Sequence, residues 1–74
     1  MFSNKNTKYV LLRKNSISRD EEFVYDTREK AENAYQTTIN MVKSLGMMMP
    51  ITYILYEDVD GRRREIKKWE RKVL

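Results

Sequence analysis

The sequence predicts an α+β domain of order ββαββ, a four-stranded antiparallel sheet with one amphipathic helix packed on one face. Three observations carry this. The run from Asp26 to Gly46 has helical periodicity and a stop signal at its far end. Two β-rich runs precede it, and an apolar run closed by an Asp-Gly turn follows it. Only two Gly and one Pro occur in 74 residues, so few breaks interrupt these patterns.

Residues 1–7 read as a flexible polar lead and 8–74 as a single small domain. Lys8 to Lys14 holds Tyr9, Val10, Leu11 and Leu12, bulky apolar and β-forming residues that suit a strand. Asn15 to Glu21 is a polar loop around Ile17, and Glu22 to Asp26 is a second short strand with Phe23, Val24 and Tyr25. These two strands can pair as a hairpin. Asp26 then reads as a helix N-cap with Glu29 at the third helical position, a pair that satisfies the free amides of a first turn. Ala31, Ala34, Tyr35, Thr38, Met41, Val42 and Leu45 recur in steps of three and four, which places one stripe along the helix. Gly46 stands where a left-handed C-cap is needed. A helix of about 19 residues is about 28 Å long.

Met47 to Pro50 is a connector, and Ile51 to Asp58, the most apolar run, reads as a buried strand. Asp60-Gly61 is a two-residue hairpin loop of the kind that needs positive φ at both positions. A regular ladder from that loop sets Leu55 opposite Ile66, Tyr53 opposite Lys68 and Thr52 opposite Trp69. Ile66, Trp69 and Val73 also fit helical spacing, but the hairpin cue favours a strand. On such a strand Arg62, Arg64 and Lys68 share one face, and Arg63, Lys67, Trp69 and Arg71 the other.

Several chemistries are excluded by absence. With no Cys there is no disulfide framework, thiol nucleophile or Cys-based metal site; with no His, the commonest general base and metal ligand is gone. The acids Glu57, Asp58 and Asp60 before Gly61 do not follow calcium-loop spacing, which puts Tyr56 at the first ligand position and Lys67 where a bidentate Glu belongs. No catalytic constellation, cofactor or metal site is expected, and the chain reads as a non-enzyme. No run approaches the ~20 apolar residues of a membrane span. Met1 to Lys8 lacks the apolar core of a secretory signal, so the expected location is cytoplasmic.

Charge is unevenly placed. Residues 62–74 carry seven basic and two acidic groups, or +5, and residues 1–61 carry eight basic and nine acidic groups, or −1, for a total of +4. The basic hairpin is therefore the leading binding candidate, with Arg62, Arg63, Arg64, Lys67, Lys68, Trp69 and Arg71 as its contact residues. Cations beside an exposed aromatic suit phosphate contact and base stacking, and they equally suit an acidic protein surface. The bland alternative is a Lys- and Arg-rich edge strand that resists aggregation, with Trp69 in the core. Tyr9, Tyr25, Tyr53 and Tyr56 read as cross-strand packing, with a stacking platform as the sharper alternative. Met47, Met48 and Met49 form a candidate apolar partner patch or a plug beneath the helix end.

The expected function is a small binding module, an accessory factor or inhibitor of the kind that phages and other mobile elements encode. It would engage a nucleic acid or a nucleic-acid-handling protein through the basic hairpin. The alternative is a protein–protein module or homodimer acting through a sheet edge or the Met47–Met49 patch.

Overall fold

The computed structural model describes residues 6–15, 18–46 and 49–72. Its elements are β1 (Thr7–Asn15), β2 (Glu21–Tyr25), α1 (Arg28–Leu45), β3 (Ile51–Val59) and β4 (Arg62–Arg71). The strands form one sheet of order β2-β1-β3-β4 with every neighbouring pair antiparallel, so the α+β ββαββ fold is the observed one. The two hairpins meet in the middle, where β1 and β3 pair from Thr7↔Val59 to Asn15↔Ile51. Thr7 lies in β1. Asn6 exchanges hydrogen bonds of 3.0 Å with Asp60, so the expected lead touches the sheet from residue 6 onward.

Residues directly opposite each other in a ladder share a face. One face, under α1, carries Tyr9, Leu11, Phe23, Tyr25, Ile51, Tyr53, Leu55 and Trp69. Leu11, Tyr53 and Leu55 pack there against Ala31, Tyr35, Ile39 and Val42 of the helix. No described element lies over the other face, yet Val10, Leu12 and Ile54 are buried on it. The runs Val10-Leu11-Leu12 and Tyr53-Ile54-Leu55 are continuously apolar because the two central strands lose water on both sides.

The helix departs from its expected stripe. Ile39 is buried, while Met41 and Leu45 are 56% and 62% exposed. At about 100° per residue, Ile39 stands about 40° from Tyr35 and Met41 about 120°, outside the arc that meets the sheet. The N-cap is Thr27, not Asp26. Thr27 is extended (φ −127, ψ 152) and its Oγ1 accepts from the Lys30 amide at 3.2 Å. Thr27 stands three residues before Lys30, the reach a capping hydroxyl needs, whereas Asp26 sits one residue too early and pairs with the Lys30 ammonium at 3.2 Å. Gly46 closes the helix at φ 63, as expected of a left-handed cap.

The hairpin turn is also as expected, with Asp60 at φ 52 and Gly61 at φ 86. Asp58 locks it, its buried carboxylate accepting from the Gly61 amide at 2.9 Å. The ladder runs in the expected register from Val59↔Arg62 to Tyr56↔Glu65 and then breaks. Ile66 is an extra residue, so Leu55 faces Lys67, Tyr53 faces Trp69 and Thr52 faces Glu70. The bulge moves everything after it by one position. Trp69 thereby lands opposite Tyr53 on the helix face, where it is half-buried against the core.

Candidate binding edge

β4 is an outermost strand, paired among the described residues only with β3. Its cations divide differently from the expected pattern, because the bulge inverts facing halfway along. Arg62, Arg64, Lys67 and Arg71 lie on the helix face with Trp69, and Arg63 and Lys68 on the open face.

Trp69 is half-buried. Its ring centroid lies 6.2 Å from that of Tyr53, and Lys43 Nζ of the helix stands 6.0 Å above it. It packs with the core rather than standing free beside the cations. The tyrosines likewise form no platform. Tyr9 and Tyr25 face each other against the core, Tyr53 is buried, and Tyr56 is on the opposite face beneath Arg63.

The cations differ in how firmly they are held. Arg71 donates from Nη1 to the Val42 carbonyl at 3.3 Å, a favourable place for a cation near a helix C-terminus. Arg64 reaches Glu57 at 2.9 Å, with its side chain 72% exposed. Lys67 stands 3.6 Å from Glu32, and Lys68 3.9 Å from Glu70. Arg62 and Lys72 are exposed and make no ion pair with another described residue. Exposed pairs of this type contribute little and exchange readily for other anions.

Arg63 is different. It crosses the open face from β4 to β2 and meets Glu22 with two hydrogen bonds, 2.8 and 3.0 Å. Its Nε approaches Asp58 at 3.4 Å, and its guanidinium lies 5.9 Å from the Tyr56 ring centroid. The Arg63 hydrogen bonds hold the Glu22 carboxyl below the usual range, and the same bonds raise Arg63 further. Arg63 therefore belongs to the fold's own closure. Neither Glu22 nor Asp58 is singled out by sequence spacing, since Glu22 lies 41 residues from its partner.

Elsewhere, Glu32 is held low first by its hydrogen bond to Arg28 and then by the charge of Lys67. Burial, and secondarily the charge of Glu65, raises the Tyr35 phenol. Met49 is half-buried beside Pro50, Val42 and Ile51, where it lines a small cleft; Met47 and Met48 lie outside the described residues. Among the described residues no helix is long and apolar enough to cross a membrane.

Comparison of the chain with protein-family models, curated proteins and solved structures finds no match.

Proposed function

We propose that this chain is a non-enzymatic binding module that engages nucleic acid through the phosphate backbone, using the outer edge of the β3–β4 hairpin formed by β4. The observation that carries this reading is the set of loosely held cations along β4. Arg62 and Lys72 are free of partners among the described residues, and Arg64, Lys67 and Lys68 are held only by exposed pairs. A strand of ten residues extends about 33 Å, enough to meet successive phosphates. With Trp69 packed inward and Arg63 committed to Glu22, the contact supplies charge and position rather than base readout, so binding would be insensitive to sequence. An accessory or inhibitory role in a nucleic-acid-handling complex is compatible with such a contact.

Fluorescence anisotropy with mixed-sequence duplex DNA tests it. Five neutralised phosphates give a slope of log affinity against log salt near −4.5. Arg62→Glu, Arg64→Glu and Lys72→Glu together flatten that slope to about −1.8 and leave the fold intact, because Arg63 is spared. No binding at low salt overturns the nucleic-acid reading and directs the search to an acidic protein surface.

A further inference from the structure

Among the described residues the sheet has two unpaired edges, β2 and β4, of opposite charge. β2 with its flanks, residues 20–26, carries Asp20, Glu21, Glu22 and Asp26 and no basic residue, or −4. β4 with Lys72 carries seven cations and two acids, or +5. The acidic edge is also the apolar one. Phe23 is 41% and Val24 59% exposed, on opposite faces of a strand that pairs only with β1.

We propose that the chain associates with further copies of itself head to tail, the β2 edge of one copy adding to the β4 edge of the next. Topology supports this before any side chain is considered. β1 and β4 run one way and β2 and β3 the other. A second copy placed beside the first in the same orientation, helix on the same face, therefore sets its β2 antiparallel to the first copy's β4. Antiparallel pairing is the more stable ladder and continues the order already present in the sheet.

Length and register agree. Past the bulge, β4 offers five regular residues, Lys67–Arg71, and β2 is five residues long. Aligning these segments with faces preserved puts Phe23 opposite Trp69, Glu21 opposite Arg71 and Tyr25 opposite Lys67 on the helix side. On the open side Val24 meets the stem of Lys68. Only Glu22 opposite Glu70 brings like charges together, and each is paired within its own chain, to Arg63 and Lys68; Glu21 and Arg71 also have partners of their own, Arg13 and the Val42 carbonyl, which they would share with the new contact. Opposite charges and aromatic pairs facing each other across a ladder are the interactions that stabilise a sheet. The two symmetric choices fare worse. A β4–β4 contact opposes cations to cations, and a β2–β2 contact opposes acids to acids. The contact is heterologous, so it leaves a free edge at each end and goes beyond a dimer unless the twist closes a ring.

The contact uses Lys67 and Lys68, which the proposed phosphate contact also uses, so the two compete for one edge; the test of self-association therefore contains no nucleic acid. Sedimentation velocity on the full chain at about 0.1 M salt should give a mass that rises with concentration beyond that of a dimer. At about 1 M salt, where the screening length falls from about 10 Å to about 3 Å, dissociation should become at least about tenfold easier. Phe23→Lys blocks the β2 end, and Lys67→Glu with Arg71→Glu blocks the β4 end. Each variant alone should be monomeric with an unchanged circular dichroism spectrum, and an equimolar mixture should form a dimer through the two intact edges. A wild-type chain that stays monomeric at its highest attainable concentration overturns the proposal, with no variant needed. So does either edge variant that still self-associates, since that places both halves of the contact on the edge left intact.

Discussion

The two faces of this sheet are both dry at their centre, but different chemistry dries them. Under α1, Leu11, Tyr53 and Leu55 meet Ala31, Tyr35, Ile39 and Val42. Side chains fixed on a rigid helix exclude water there by close packing. On the other face no described element covers Val10, Leu12 and Ile54, and the described contact that spans it is Arg63, which reaches from β4 to Glu22 on β2. An arginine can serve this way because its aliphatic stem covers apolar surface while its planar head pairs two-fold with a carboxylate. Among the described residues there is one helix for two apolar faces. The strap from Arg63 to Glu22 ties β4 to β2 on the second one.

The largest contrast should come from neighbouring residues on β3 that point opposite ways. Leu55 is fully buried under the helix and Ile54 is buried on the open face. Leu55→Ala leaves a cavity that packed helix and sheet cannot fill, at a cost of about 3–4 kcal/mol. Ile54→Ala should cost about 2 kcal/mol, since flexible charged side chains settle into the space more easily than a helix does. Urea unfolding of both variants measures the difference. Equal losses would mean that the open face is as rigidly packed as the helix face.

Much of this contrast was legible in the chain beforehand, and the rest was hidden for identifiable reasons. Continuous apolar runs at Val10-Leu11-Leu12 and Tyr53-Ile54-Leu55 mark central strands that lose water on both sides. Gly46 and Asp60-Gly61 announce their turns because only certain residues tolerate positive φ. The bulge at Ile66 was not legible. Nothing in the local sequence distinguishes it from the next residue of a regular ladder, and it decides where Trp69 and the three cations Lys67, Lys68 and Arg71 point. The N-cap was missed by one position because Asp26 and Thr27 are both good caps and only geometry selects between them. The strap was invisible for a third reason: it joins residues 41 apart through strand order, and strand order is not written in periodicity.

Breaking the strap itself should have an intermediate effect. Arg63→Met keeps much of the apolar stem and removes the head. Glu22 is exposed enough to regain water, but Asp58 is buried and keeps only the Gly61 amide. The expected loss is about 1–2 kcal/mol, most of it from Asp58. The double variant Arg63→Met, Glu22→Gln should lose no more than Arg63→Met alone, which chemical denaturation in a double-mutant cycle reads directly. Additive losses would show that the two groups do not act as a unit.

Acid titration should give the smallest effect, and its sign separates the faces. Arg63 holds the Glu22 carboxyl below its ordinary range in the folded chain. A carboxylate depressed by folding contributes stability that is complete above its unfolded value and is lost as pH falls through its folded one. The open face should therefore weaken only below about pH 4, where unfolded glutamates already take up protons and Glu22 resists doing so. Leu11 and Leu55 carry no ionisable group, so their contribution persists. Unfolding curves at pH 7 and pH 3 should differ less for Glu22→Gln than for the wild type, because the variant has no charge left to lose there. The same variant should leave the Leu55→Ala penalty unchanged at both pH values. A Leu55→Ala penalty that shrinks in acid would mean the strap also tightens the helix face, and the two closures would then be one.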